Sequence, residues 1–204
     1  LRMLREMRLE AVEANIVAYN TCISSCAKVG RWEEASALLA EVRQLRLEPN
    51  AITYNSAISA CERAERPEVA LELLSEMRRE AVQPTEITCN AAISACEKGR
   101  QWQQAVQLLQ DMQCSGLRPD VMVCNAAISA CEKCGRWEVA LSLLNEALRM
   151  LLRPDEISYS AAMSACEKGR QWEKALWLIV EMENRGLRAT VVSLSAAISA
   201  CEKG

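Results

Sequence analysis

Six cysteines, Cys26, Cys61, Cys96, Cys131, Cys166 and Cys201, follow one another at intervals of 35 residues without an insertion. A fixed period of this size makes one small structural unit recur along the chain, which narrows the accessible folds more than any other feature. Trp32, Trp102, Trp137 and Trp172 keep the register, with Pro67 in the remaining slot. Pro49, Pro84, Pro119 and Pro154 keep it too, followed by Ala189, as do Ala35, Ala70, Ala105, Ala140 and Ala175. Residues of unlike chemistry therefore share one period. Full units span 16–50, 51–85, 86–120, 121–155 and 156–190. Residues 1–15 read as the end of a second helix and 191–204 as a first helix. With a partial unit at each end, the 204 residues read as a piece of a longer array, one continuous domain without linkers.

Each unit reads as two helices. In the third, Cys89, Ala92, Ile93 and Cys96 recur with the spacing of one helix face. Gly99-Arg100-Gln101 interrupts that face. Trp102, Ala105, Leu109 and Met112 then form a second one, ended by Gly116 and Pro119. Pro67 fits the same plan, because proline is tolerated in the first turn of a helix. The Trp column reads as core, and Leu47, Val82, Leu117, Leu152 and Leu187 as apolar plugs in the connectors. Two short helices cannot bury their apolar faces alone, so the units must stack. The expected fold is all-α: an α-solenoid of helix-turn-helix repeats, a right-handed superhelix with the first helices on its concave face.

Composition then removes most catalytic readings. The chain has no His, so the usual general base, zinc nitrogen and nucleophile-activating imidazole are missing. Its eleven Cys do not suggest a disulfide framework. Equivalent residues in stacked units sit roughly 8–10 Å apart, whereas bridged Cα atoms need to be within about 7 Å. Small apolar packing accounts for the column. Cys131-Glu132-Lys133-Cys134 is a lone C-x-x-C, and a structural zinc needs four ligands. Neither metal, cofactor, small-molecule substrate nor catalysis is expected. No apolar run is long enough to cross a membrane, and Leu1–Met7 do not read as a signal or transit peptide. A net charge of −3 gives no general affinity for polyanions, so such a site would need arranged cations.

Two polar columns are candidates for function. Asn20, Asn55, Asn90 and Asn125, continued by Ser160 and Ser195, open the first helix of each unit. Lys28, Arg63, Lys98, Lys133, Lys168 and Lys203 stand eight residues further on, near its end. Helix capping would account for the first column and a cation at a helix C-terminus for the second. Glu62, Glu97, Glu132, Glu167 and Glu202 precede the cations and weaken their field. On residue types alone, structural and functional roles both stay open.

Segments such as Ile52-Thr53-Tyr54-Asn55-Ser56-Ala57-Ile58 and Asp111-Met112-Gln113-Cys114-Ser115-Gly116-Leu117-Arg118-Pro119-Asp120 resemble pentatricopeptide repeats. The likeness covers essentially the whole chain, and the uninterrupted 35-residue units resemble the pure class of that family. The resemblance implies single-stranded RNA binding in a chloroplast or mitochondrion, one base per repeat, in RNA processing, stability or translation. It assigns base reading to Asn20 with Asn50, Asn55 with Thr85, Asn90 with Asp120, Asn125 with Asp155, and Ser160 with Thr190. It makes Val17, Ile52, Ile87, Met122 and Ile157 the residues that sandwich the bases, and turns the cation column toward phosphates. The implied target is 5′-pyrimidine, pyrimidine, U, U, purine-3′. The competing function is that of a helical-repeat scaffold gripping a protein partner.

Overall fold

The computed structural model describes residues 15–204. The partial unit expected at the N-terminus therefore lies, apart from Asn15, outside the described residues. Among these there are eleven helices and no strand. Each helix is thirteen residues long. The first helices of the repeats are α1 (Ile16–Lys28), α3 (Ala51–Arg63), α5 (Glu86–Lys98), α7 (Val121–Lys133), α9 (Glu156–Lys168) and α11 (Val191–Lys203). The second helices are α2 (Trp32–Gln44), α4 (Pro67–Arg79), α6 (Trp102–Cys114), α8 (Trp137–Arg149) and α10 (Trp172–Asn184). The fold is all-α, built of stacked helix pairs.

The helices form two compact units, one ending at Gly99 and one spanning Arg100–Gly204. In the first, α3 packs against α1, α4 and α5, and α1 against α2. In the second, α9 packs against α7, α8, α10 and α11. First helices thus lie beside first helices. Their small inner residues permit it: Ala57, Ala60, Ala92, Ala95, Ala127, Ala130, Ala162 and Ala165 are fully buried. Tyr19, Tyr54 and Tyr159, with Ile23, Ile58, Ile93, Ile128 and Met163, fill the space toward the second helices. Those contribute the alanine column and Leu39, Leu74, Leu109 and Leu144.

Every described second helix ends in the same way. The amides of Leu47, Val82, Leu117, Leu152 and Leu187 reach back five residues, to the carbonyls of Val42, Met77, Met112, Ala147 and Met182. The preceding residue is left-handed: Arg46, Ala81, Gly116, Leu151 or Gly186. This is a Schellman closure, which satisfies orphan carbonyls and draws an apolar residue onto the helix end. The connector plugs are accordingly half-buried. First helices use the closure too, and Cys26, Cys61, Cys131 and Cys166 supply the accepting carbonyls. The cysteines are free. Burial pushes the thiols of Cys61, Cys124 and Cys166 up to about 11 and those of Cys96 and Cys131 up to about 12.

The Trp column departs from expectation. Trp32, Trp102 and Trp137 are half-buried and Trp172 is exposed. They sit in the first turn of the second helices, where the rings of Trp137 and Trp172 cover the end of the following first helix. A Cβ on Gly169 would lie 2.1 Å from Trp137 Cδ1, and one on Gly204 would lie 2.4 Å from Trp172 Cδ1. Pro67 covers Gly99 in the same manner. A cation closes the outer face of three rings: Arg66 over Trp32, Arg136 over Trp102 and Lys174 over Trp137. Gly99 and Gly169 are therefore needed for close approach, while the left-handed turn falls on Arg100 and Arg170.

Candidate nucleic-acid interface

The closing residue of each repeat caps the next first helix. Asn50, Thr85, Asp120, Asp155 and Thr190 adopt extended backbone, and their side-chain oxygens accept amide hydrogens of the first turn. The capping reading of the Asn/Ser column is thereby corrected. Asn20, Asn55, Asn90, Asn125, Ser160 and Ser195 stand in the second turn, where the backbone amides already have helical acceptors. Capping belongs to the other member of each pair.

Within each unit the paired residues meet. Asn20 Nδ2 donates to Asn50 Oδ1 at 3.4 Å, Asn55 Nδ2 to Thr85 Oγ1 at 3.2 Å, and Asn125 Nδ2 to Asp155 Oδ1 at 3.1 Å. Ser160 and Thr190 hydroxyls lie 3.4 Å apart. Asn90 and Asp120 share a repeat but fall in different compact units, and Asn90 Oδ1 is a buried oxygen without a hydrogen-bond partner. Burial works against the charge on Asp155. The amides of Ser158 and Ile157, the Asn125 side chain and the Ser158 hydroxyl outweigh it and hold the carboxyl below its ordinary range.

A second polar column, unrecognised in the sequence, lies beneath these pairs. Thr53, Thr88, Ser158 and Ser193 are the fully buried polar side chains of the described residues. Each hydroxyl accepts the backbone N–H of its cap residue, completing a capping box. Their 35-residue spacing was visible in the chain, interrupted only by Val123, but nothing in the sequence marked them as buried.

Beside the polar pairs stand aliphatic residues that the fold leaves in the open. Val17, Ile52 and Ile87 in the first unit, and Met122 and Ile157 in the second, are between 61 and 76 % exposed. Val192 continues the row on α11. Ile157 and Val192 line a cleft of about 380 Å³ together with Ser160, Ala161, Ser164, Thr190 and the carboxylates of Glu132 and Glu156. A neighbouring cleft of about 360 Å³ is lined by Val191, Val192, Ser195 and Ser199. Apolar and hydroxyl side chains stand together in these clefts with the carboxylates of Glu132, Glu156 and Glu167.

In the cation column, Lys98, Lys168 and Lys203 are engaged by carboxylates of the preceding repeat. Lys98 Nζ lies 3.0 Å from Glu62 Oε1, Lys203 Nζ lies 2.6 Å from Glu167 Oε1, and Lys168 pairs with Glu132. Hydrogen bonds from Lys203 and then Ser199 pull the Glu167 carboxyl below its usual value. Lys28, Arg63 and Lys133 occupy the same helix position. A phosphate approaching Lys98 or Lys168 would meet a cation already partnered. Among the described residues, no three His, Cys, Asp or Glu are grouped to hold a metal, and no helix is long and apolar enough to cross a membrane.

Models of the PPR repeat family match residues 14–63, 49–98 and 119–168, and a PPR repeat model matches 87–117 and 157–187. No curated protein matches the chain. Among solved structures, the pentatricopeptide repeat protein PPR10 from maize is 25% identical with a TM-score of 0.73, over 99% of this chain and 29% of that one. PPR10 in complex with an 18-nt psaJ RNA element gives 27% identity and a TM-score of 0.78, over 99% of this chain and 30% of that one. The chain thus spans about 30% of the length of PPR10. The PPR domain of Arabidopsis thaliana protein-only RNase P 1 is similar in fold, with a TM-score of 0.77 at 15% identity, over 89% of this chain and 96% of that one. With family models covering most of its length, this chain belongs to the PPR repeat family.

Proposed function

We propose that the chain binds single-stranded RNA, one nucleotide per repeat, and does no chemistry on it. The observation that carries the proposal is the row of exposed aliphatic side chains, four of the five beside a polar pair whose atoms lie 3.1–3.4 Å apart. Water-exposed Ile and Met cost free energy unless a ligand covers them, and bases offer apolar faces with hydrogen-bonding edges. The RNA bound by the maize relative supports the same reading. In this proposal the base-reading pairs are Asn20/Asn50, Asn55/Thr85, Asn90/Asp120, Asn125/Asp155 and Ser160/Thr190. The sandwiching residues are Val17, Ile52, Ile87, Met122 and Ile157. The repeats 16–50 to 156–190 act as one array on a target of the form YYUUR, in the RNA metabolism of a chloroplast or mitochondrion.

Selection from a pool of random single-stranded RNAs at fixed salt tests this directly. Enrichment of YYUUR is expected, and uniform recovery of all sequences would remove base reading. A protein-scaffold role has its own observation, the outward Leu176, Trp177 and Val180 on α10. Absence of any RNA binding at low salt would move the assignment there.

A further inference from the structure

We infer that the buried hydroxyls of Thr53 and Ser158 are specificity-determining residues, fixing which edge Asn20 and Asn125 present to a base. The inference rests on the RNA-reading proposal and adds a third residue to each reading pair. Thr53 Oγ1 donates to Asn20 Oδ1 at 2.6 Å while its lone pair takes the Asn50 amide at 3.1 Å. In the second unit, Ser158 Oγ donates to Asn125 Oδ1 and accepts the Asp155 amide at 3.0 Å. Thr88 does the same for Asn55. Each hydroxyl also lies near the cap oxygen, Thr53 Oγ1 3.2 Å from Asn50 Oδ1 and Ser158 Oγ 3.0 Å from Asp155 Oδ1. With its one proton given to the Asn oxygen, it favours the amide orientation that the cap end also requires.

The other end agrees. Asp155 Oδ1 already receives the amides of Ile157 and Ser158 and can only accept from Asn125. An amide turned over would set two oxygens against each other. The Asn is thus held at both ends. It offers a base its remaining N–H, while one lone pair of its oxygen is taken by the hydroxyl proton. A base edge carrying an acceptor beside the Asn fits, and an edge carrying only a donor there does not. The hydroxyl that shares in this choice sits 33 positions along the chain, in the first helix of the next repeat.

Ser193 supplies an internal control. It completes a capping box with Thr190, yet its hydroxyl donates within that turn, to Thr190 O at 2.9 Å. Selection on random eight-nucleotide single-stranded RNAs is run with the chain and with Ser158→Ala, Ser158→Thr, Ser193→Ala and Thr53→Val, alongside thermal melts. Ser158→Ala is expected to reduce the preference at the Asn125 nucleotide about tenfold, the scale of a lost oriented base contact. Other nucleotides keep their preferences, and Ser158→Thr restores the lost one. Ser193→Ala lowers the melting temperature and leaves every preference in place. Thr53→Val repeats the effect at the Asn20 nucleotide, so the test does not depend on one variant folding. Unchanged preference in both Ser158→Ala and Thr53→Val overturns the inference, as does a Ser193→Ala variant that loses preference. A parent chain without preference at any nucleotide instead removes the RNA-reading proposal itself.

Discussion

At the scale of single residues, the pair Asn125 and Asp155 separates two roles that composition alone left merged. Asp155 caps α9, whereas Asn125 lies in the second turn of α7 and caps nothing. Asp155→Ala should therefore cost about 1 kcal/mol of stability through the lost cap. Asn125→Thr, which loses the amide's bonds to Ser158 and Asp155, should cost about 1 kcal/mol of stability and shift the preference at its nucleotide from U toward G by about 1–3 kcal/mol. Melting and base selectivity measured on both variants check this. A selectivity change in Asp155→Ala alone would transfer reading to the cap. The Asp155 carboxyl is held below its ordinary value, so its stabilising contribution is complete above about pH 4 and is lost as pH falls through the lower folded value. Asp155→Asn should show a shallower fall in melting temperature between about pH 4 and pH 2 than the parent.

At the scale of helices and their ends, contacts between repeats decide which small residues matter. Gly169 carries an ordinary negative φ, so alanine there is unstrained in backbone terms but drives a methyl into the Trp137 ring. Gly169→Ala should destabilise by about 1–3 kcal/mol, the cost of overpacking. Leu151, exposed and left-handed with φ 59°, is the opposite case. Leu151→Gly should stabilise by about 0.5–1 kcal/mol by relieving the steric cost of that conformation. Chemical denaturation of the two variants measures both signs, and equal signs would contradict the turn geometry. Because Trp102 is half-buried under Arg136, its replacement by Ala should cost about 1–2 kcal/mol. That is less than the 3–5 kcal/mol of a core aromatic.

For the molecule as a whole, the question is how a chain of net charge −3 would hold the RNA proposed for it. Lys168 stands against Glu132, which also lines the cleft between Ile157 and Val192. Removing that negative charge frees the cation and lowers repulsion in the cleft. Glu132→Gln should tighten RNA binding several-fold and steepen the slope of log affinity against log salt by roughly 0.7 for each phosphate gained. Titration of a single-stranded RNA at several salt concentrations tests this, and an unchanged slope would leave the lysine as a partner for helix packing only.

The 35-residue register, the two helices per repeat and the buried Cys and Ala columns were legible in the chain. They depend on local periodicity, and one helix face suffices to read them. The exposed aliphatic column was also visible as residues, though its exposure was not. Three things required the folded chain: capping by Asp155 in place of Asn125, the hydroxyl of Ser158 on the Asn125 amide, and Lys168 facing Glu132. The last two join residues 33 and 36 positions apart, neighbours only because one repeat is set against the next by a particular rotation. Periodicity states that such residues share a column. Which atoms of adjoining columns come within hydrogen-bonding distance depends on how closely the helices approach, and that is a property of packing.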